Sequence, residues 1–290
     1  KDPSREDLDI VEALMGAVHG LLNSVNGVEA ICEYPDSGVA FLYVFLLGCG
    51  SLANEAVTKL MFLYNRCQSE EAIDYWVDTY SKEHNDHTRL ESLIAVFDHS
   101  EDSLYILSFM KVMNVFIGSH VGLYKRMTFR YYFISWDITA MMDKVLEKAN
   151  TYKWAQLESI QQEYTIFVES ESNDRKDAVV EGVDLSSAES LFKAISKRTE
   201  EQHLKDEFTM ILRNINMFPV DEYRCVRTWE LMEKMSSFVV KAPTDIVGLS
   251  FDNLNDQIIR AMNAMVSGNE IEERTIEPID EQYVRFLHLK

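Results

Sequence analysis

Residues 104–122 read LYILSFMKVMNVFIGSHVG, a stretch with helical spacing that is apolar on most of its circumference. A helix with apolar side chains on nearly every side has neighbours on nearly every side. A narrow stripe of small or polar groups recurs on one face, at Ser108, Lys111, Asn114 or Val115, and Gly118. This favours the inner helix of a helical solenoid, packed on both flanks with one face lining a groove. A central core helix whose stripe meets solvent or another helix accounts for the pattern too.

The composition predicts an all-α globular protein. Apolar residues make up 47% and aromatic residues 11% of the 290 residues, which are values of chains that bury a core. The chain has only 5 prolines and 11 glycines, so the turn residues that punctuate β-rich folds are scarce. We therefore expect helices throughout, and a length sufficient for two modest domains.

The charge and the cysteines restrict the partners. Lys and Arg number 28 against 48 Asp and Glu, a net charge of −20 that repels nucleic acid and anionic membranes. Such a surface attracts a basic peptide, or serves solubility alone. The 4 cysteines lack metal-ligand spacing and are typical of reduced residues in a cytoplasmic protein, so we expect no metal or cofactor. The longest apolar run, residues 39–49, is too short to span a bilayer.

The helical segments recur in groups. Two or three fall in every 40 residues or so, separated by short polar breaks, as in armadillo or HEAT repeats. A non-repeating helical domain is the alternative. The charged stretch 169–182 is poor in core-forming residues, and the predicted division is a repeat domain over 1–175, a helical domain over 183–266 and a tail of unknown role over 267–290.

Several short motifs occur in a consistent order. They are GLLNSVNGVEAI (20–31), TKLMFLYNRC (58–67), FMKVMNVFIG (109–118), MTFRYYF (127–133), QEYTIFVE (162–169) and SLFKAISKRTEEQHLKDEFTMILRNINMF (190–218). Together they resemble the N-terminal regulatory half of diaphanous-type formins, in which an armadillo-repeat inhibitory (FH3) domain precedes a helical dimerisation domain. Tyr132 stands where the family usually has His.

The resemblance implies a non-enzymatic module that controls actin assembly at the cytoplasmic cytoskeleton. In such proteins the concave armadillo face binds an amphipathic autoregulatory helix from the C-terminal region of the same protein, and a Rho-family GTPase releases it. By position, the residues expected to line the groove are Asn23, Lys59, Phe62, Lys111, Asn114, Val115 and Gly118. Asn23 also matches the region that the GTPase touches.

The resemblance also implies a homodimer. Apolar stripes in the shorter C-terminal domain need burial, either within the chain or against a second copy. The residues expected at the dimer interface are Phe208, Leu212, Ile215, Phe218 and Trp229. The alternative function is a free-standing armadillo-type adaptor with another protein partner, because residues 268–290 show no coiled-coil heptads and the family's GTPase-binding arm would precede Leu8.

An enzyme is not indicated. The sequence contains no nucleophile-elbow, phosphate-loop or dinucleotide-binding motif. His84 and His87 have the HxxH spacing but lack a cysteine pair or a Glu-bearing helix, so solvated loop histidines are the better interpretation.

Overall fold

The computed structural model describes residues 5–67, 70–84, 86, 88–217 and 228–236, and all regular secondary structure in these ranges is helical. The predicted all-α fold is therefore confirmed. The helices are α1 (Arg5–Leu22), α2 (Val25–Glu33), α3 (Ser37–Phe45), α4 (Gly50–Cys67), α5 (Glu70–Glu83), α6 (Glu91–His99), α7 (Ser103–Gly118), α8 (Leu123–Ile134), α9 (Ile138–Tyr152), α10 (Leu157–Val180), α11 (Ala188–Glu201) and α12 (Lys205–Asn216), and residues 228–236 form a further helix.

The packing repeats every third helix. Helix α1 packs on α4, α4 on α7, and α7 on α10, so these four helices form a continuous layer that we call the inner row. The helices between them pack against the inner row and against each other, as α3 does on α4 and α5, and α8 on α7, α9 and α10. Each unit buries its apolar face against its neighbours, which is the arrangement of a helical-repeat solenoid. The predicted solenoid is thus confirmed.

Helices α4 and α7 run side by side in the same direction. At their first turns, the backbone N–H of Gly50 donates to Asp102 Oδ2 at 2.9 Å. At their last turns, the hydroxyl of Tyr64 donates to the carbonyl of Ser119 at 3.2 Å. These two bonds fix the register of the helices, because a slip of one residue breaks both.

Helix α7 is the most buried element of the inner row. Its buried residues are Tyr105, Ile106, Leu107, Ser108, Phe109, Met110, Val112, Met113, Phe116 and Ile117. Asp102 caps the helix, since one of its carboxylate oxygens accepts from the N–H groups of Leu104 and Tyr105. The helix ends at Gly118 and not at Gly122 as the sequence suggested, because Ser119 and His120 turn back with their side chains on the carbonyl of Phe116.

Helix α10 runs through most of the charged stretch 169–182, which was expected to separate two domains. It begins at Leu157 and continues to Val180. Phe167, Asp174 and Ala178 recur on one buried face of α10, which holds the charged stretch in the helix. The chain turns at Gly182, whose φ is +86°. The division into domains at 175–183 stays a prediction.

A buried ion cluster ties α8 to α10. Arg130 donates to Asp174 at 2.6 Å and to the carbonyl of Phe167 at 3.0 Å, and Arg126 donates to the other oxygen of Asp174 at 2.8 Å. Since Arg130 and Asp174 are both buried, each charge depends on the other for compensation. This pairing explains the Arg in the stretch MTFRYYF.

Within the described ranges, no helix is by itself long and apolar enough to cross a bilayer. Helices α1 and α2 reach that length and composition only when joined, and they are bent by 116° at their junction.

Candidate functional site

The middle of the inner row brings several of the predicted groove residues to the same level along two parallel helices. Because α4 and α7 are in parallel register, Lys59 and Phe62 on α4 lie at the level of Lys111 and Val115 on α7. Gly118 follows at the end of α7, near the last turn of α4. We call the segment from Lys111 to Gly118 on α7, with the adjoining turn of α4, the inner-row strip.

The strip is open along α7 but closed at its amino end. Lys111 and Val115 are half-buried and Gly118 is exposed. Apart from its chain neighbours and the backbone of its own helix, a Cβ atom added at Gly118 would meet no atom within 4 Å, so there is free space above this turn. Ser108, in contrast, is fully buried and donates to the carbonyl of Leu104 at 2.7 Å. The accessible part of α7 is therefore its last two turns.

Two of the predicted residues are already engaged within the fold. The side-chain amide of Asn114 donates to the carbonyl and the carboxylate of Glu163 on α10, both at 2.9 Å. Lys59 is 5% exposed and its Nζ lies 3.0 Å from the carboxylate of Glu55 one turn earlier. Asn114 thus joins α7 to α10, and Lys59 carries a charge that is compensated inside α4.

The apolar part of the strip lies on α4 and α7. Phe62 and Val115 are both half-buried, and the guanidinium of Arg66 stands 5.6 Å from the centroid of the Phe62 ring. Arg66 was not predicted from the sequence; its position one turn after Phe62 was the available signal. Asn23 lies apart from these residues, exposed in the turn between α1 and α2, where its N–H donates to the carbonyl of Gly20.

A second polar cluster lies inside the repeats. The guanidinium of Arg89 contacts Tyr132 and Asp78, and Asp74 lies 4.0 Å away and 3.5 Å from His120. Burial works to raise the pKa of Asp74, but the hydrogen bond to His120 and the charge of Arg89 outweigh it and hold the pKa below its usual value. The cluster joins α5 and α8 to Arg89, which precedes α6, and to His120, which follows α7; Arg89, His120 and Tyr132 are buried, while the side chain of Asp74 is 34% exposed. Tyr132, in place of the family's His, is one of its members.

The loop histidines do not form a metal site with other described residues. His84 stacks on Tyr80 and pairs with Asp86 at 3.6 Å, and His99 bonds to the carbonyl of Ala95. Within the described ranges, no three His, Cys, Asp or Glu side chains come close enough to hold a metal ion. His87 lies outside these ranges.

Among the predicted dimer residues, Phe208, Leu212, Ile215 and Trp229 lie on helices that bury no residue. No residue of α11 or α12 is buried. Phe208, Leu212 and Ile215 are half-buried on one face of α12, where Phe208 contacts Phe192 of α11 with ring centroids 5.8 Å apart. Phe218 lies outside the described residues. Apolar side chains left exposed in this part of the chain are Phe192, Ile195, Leu204, Met210, Ile211, Met217, Trp229, Leu231 and Met235.

Comparison with known families agrees with this architecture. The sequence profile described as "Diaphanous FH3 Domain" matches residues 69–247, which is more than half of the chain. No curated protein sequence shows a significant match. The match begins just before α5, after the second helix of the inner row, and extends through α7, α10, α11 and α12. The chain therefore belongs to the diaphanous FH3 domain family, a regulatory protein-interaction module of formins and not a catalytic one.

Proposed function

We propose that this module binds an amphipathic helix on the inner-row strip and thereby controls actin assembly by a formin. The observation that carries the proposal is the accessible surface between Lys111 and Gly118, on a helix whose other faces are packed. A helix that binds in such a groove places apolar side chains at i, i+3 or i+4 and i+7 against it. Phe62 and Val115 supply the apolar contact, and the space above Gly118 admits a large side chain.

The ligand that fits the family is the autoregulatory helix from the C-terminal region of the same formin. When bound, it holds the actin-assembling half inhibited in the cytoplasm, and a Rho-family GTPase displaces it. The net charge of −20 increases the rate of encounter with a basic segment flanking that helix.

Substitution of Val115 by Asp tests the strip. A carboxylate at this half-buried position must be desolvated beneath an apolar ligand side chain, so we expect affinity for the autoregulatory helix to fall about a hundredfold. A synthetic peptide of that helix from a diaphanous-type formin is the probe, and fluorescence anisotropy gives the dissociation constant. Asn114→Asp is a poorer test, because it places a carboxylate against the backbone carbonyl and the side-chain carboxylate of Glu163.

Val168→Asp is the matched control. Val168 is a half-exposed valine on α10, on the side of that helix away from Asn114. It should leave peptide affinity unchanged, and both variants should keep the helical circular dichroism of the parent. Wild-type affinity in Val115→Asp would contradict binding at the strip.

We also infer that the module forms homodimers through residues beyond about 185. The support is the set of exposed apolar side chains on α11, on α12 and in residues 228–236. Helices α11 and α12 are amphipathic in sequence but bury no residue, so their apolar faces lack a partner that would account for the pattern. A second copy of the same surface is the symmetric way to cover it.

A further inference from the structure

The turn between α7 and α8 contains a buried histidine. His120 is 2% exposed, and its ring stacks on Phe129 of α8 with ring centroids 4.8 Å apart. Its Nδ1 lies 2.8 Å from the carbonyl oxygen of Phe116, and its Nε2 lies 3.5 Å from Asp74 Oδ1 on α5. Both ring nitrogens of His120 therefore face an acceptor.

Two acceptors call for two protons on the ring. A carbonyl oxygen cannot donate, so Nδ1 must donate to Phe116, and a neutral imidazole then presents a lone pair at Nε2. That lone pair would face the carboxylate of Asp74. Although burial raises it, the pKa of Asp74 lies below its usual value because of His120 and Arg89, so this carboxyl has no proton to offer. The imidazolium cation satisfies both contacts.

Charged and titratable groups reach the turn from several elements. They lie on α4, on α5, before α6 and on α8, and they are Tyr64, Glu70, Asp74, Arg89, Lys125, Arg126 and Tyr132. Glu70 also accepts from the N–H of Val121 in the turn at 2.7 Å. Of these residue types and histidine, histidine is the one that ordinarily changes its charge between about pH 5 and 8.

We propose that residues 119–122 form a pH-sensitive switch, in which the imidazolium cation of His120 holds the turn and loss of a proton from its ring loosens it. Loss of either proton leaves a buried ring nitrogen against an acceptor and removes one charge partner of Asp74. Because the ordered turn binds the proton, it is favoured at low pH and weakens as pH rises through the range in which histidines titrate.

The switch adjoins the inner-row strip, since the turn begins directly after Gly118. The carbonyl of Ser119 accepts from Tyr64 at the last turn of α4, so the turn also contributes to the register of α4 and α7. A looser turn should therefore weaken the binding of a helix at the strip. This consequence rests on the proposed function, whereas the switch itself does not.

Hydrogen–deuterium exchange on the full chain tests the switch. In the turn, the N–H of Val121 donates to Glu70 and the N–H of Ser119 donates to the carbonyl of Val115. After correction for intrinsic exchange rates, protection of these amides should fall at least about tenfold between about pH 6 and pH 8 in the wild type. His120→Gln, whose side chain does not titrate, should give equal protection at both pH values.

Two further variants complete the test. Asp74→Asn places an amide, which can donate to neutral imidazole, at a partly exposed position, so it should keep the fold and lose the pH dependence. His99→Gln, at an exposed histidine on α6, should keep the wild-type response. Equal protection of the wild-type turn at both pH values, or a wild-type response in Asp74→Asn, would overturn the switch.

A histidine-free autoregulatory peptide tests the consequence at the strip by fluorescence anisotropy. Its affinity should fall between the same two pH values for the wild type and stay constant for Asp74→Asn. Constant affinity for a wild type whose turn does respond to pH would overturn the link to the strip alone. An absence of binding at either pH would contradict the proposed function and not the switch.

Discussion

At the scale of single residues, the carboxyl group of Asp86 lies in a nearly closed site. Its carboxylate is 4% exposed, accepts from the hydroxyl of Ser92 at 3.1 Å and lies 3.6 Å from His84. Burial raises the pKa of Asp86 to about 6, although the bond from Ser92 acts in the opposite direction. In the unfolded chain the carboxyl has its ordinary value, so the folded state binds this proton more tightly.

Asp86→Asn should change the pH dependence of stability. Between about pH 4 and pH 6 the folded state holds a proton that the unfolded state has lost, so the free energy of unfolding falls as pH rises through this window. Asn cannot ionise, and the variant should gain about 1–3 kcal/mol over the wild type above pH 6 and little below pH 4. Urea unfolding at several pH values measures this difference.

The matched control is Asp98→Asn, at an exposed position on α6. Its stability should follow the wild type at every pH. If Asp86→Asn also follows the wild type from pH 4 to pH 7, the carboxyl of Asp86 does not have the raised pKa. The sequence alone placed the His84 to His87 segment in a polar loop, but it gave no sign that Asp86 packs beneath it, because that burial depends on contacts with α5 and α6.

At the scale of elements, Asp102 serves two helices. Its Oδ1 accepts from the N–H groups of Leu104 and Tyr105 at the start of α7, and its Oδ2 accepts from the N–H of Gly50 at the start of α4. Gly50 must lack a side chain here, because a Cβ atom would lie 2.4 Å from the carboxylate. One side chain therefore caps α7 and sets its register against α4.

Asp102→Ala should cost about 2–3 kcal/mol of unfolding free energy, about twice the loss at an ordinary cap, since both helix ends lose their acceptor. Asp102→Asn should cost about half as much, because one oxygen remains to cap α7. Ser187→Ala, which removes the single cap of α11, supplies the comparison. Equal losses for Asp102→Ala and Ser187→Ala in urea unfolding would show that the bond to Gly50 contributes nothing.

The elements could be predicted where local signals decide them. The apolar character of α7 follows from residues within a few positions of one another, and the nearby sequence offers Ser100 or Asp102 as its cap. The hydrogen bond between Gly50 and Asp102 joins residues 52 positions apart, so no feature of the nearby sequence predicts it. The same holds for the end of α10, where the charged stretch 169–180 stays helical because Asp174 is paired with Arg126 and Arg130.

At the scale of the whole molecule, helix spacing together with the formin resemblance predicted the solenoid, and the packing of every third helix confirms it. The accessible part of the strip was only partly predictable. Lys111, Val115 and Gly118 are accessible, but Asn114 and Lys59 bind partners on α10 and within α4. A helical stripe identifies a face, and only the neighbouring helices decide which of its residues remain free.

Ile211→Asp tests assembly. Ile211 is 51% exposed on α12, so a carboxylate there does not disturb packing within the chain but opposes burial against a second copy. Light scattering should give the wild type twice the chain mass of 33.5 kDa and the variant a single mass. Ile10→Asp, at an isoleucine of 54% exposure on α1, should remain dimeric. A wild-type chain that is monomeric at micromolar concentration would contradict the dimer.

The uninterrupted course of α10 has a consequence for ligands with two binding helices. Its 24 residues form a rod of about 36 Å that starts beside α7 and ends just before α11. In a dimer joined through α11 and α12, two such rods would hold the paired strips at a set separation. In a ligand with two binding helices, a linker long enough to span this separation raises the effective concentration of the second helix at the second strip. A shorter linker allows only one of the two strips to be filled.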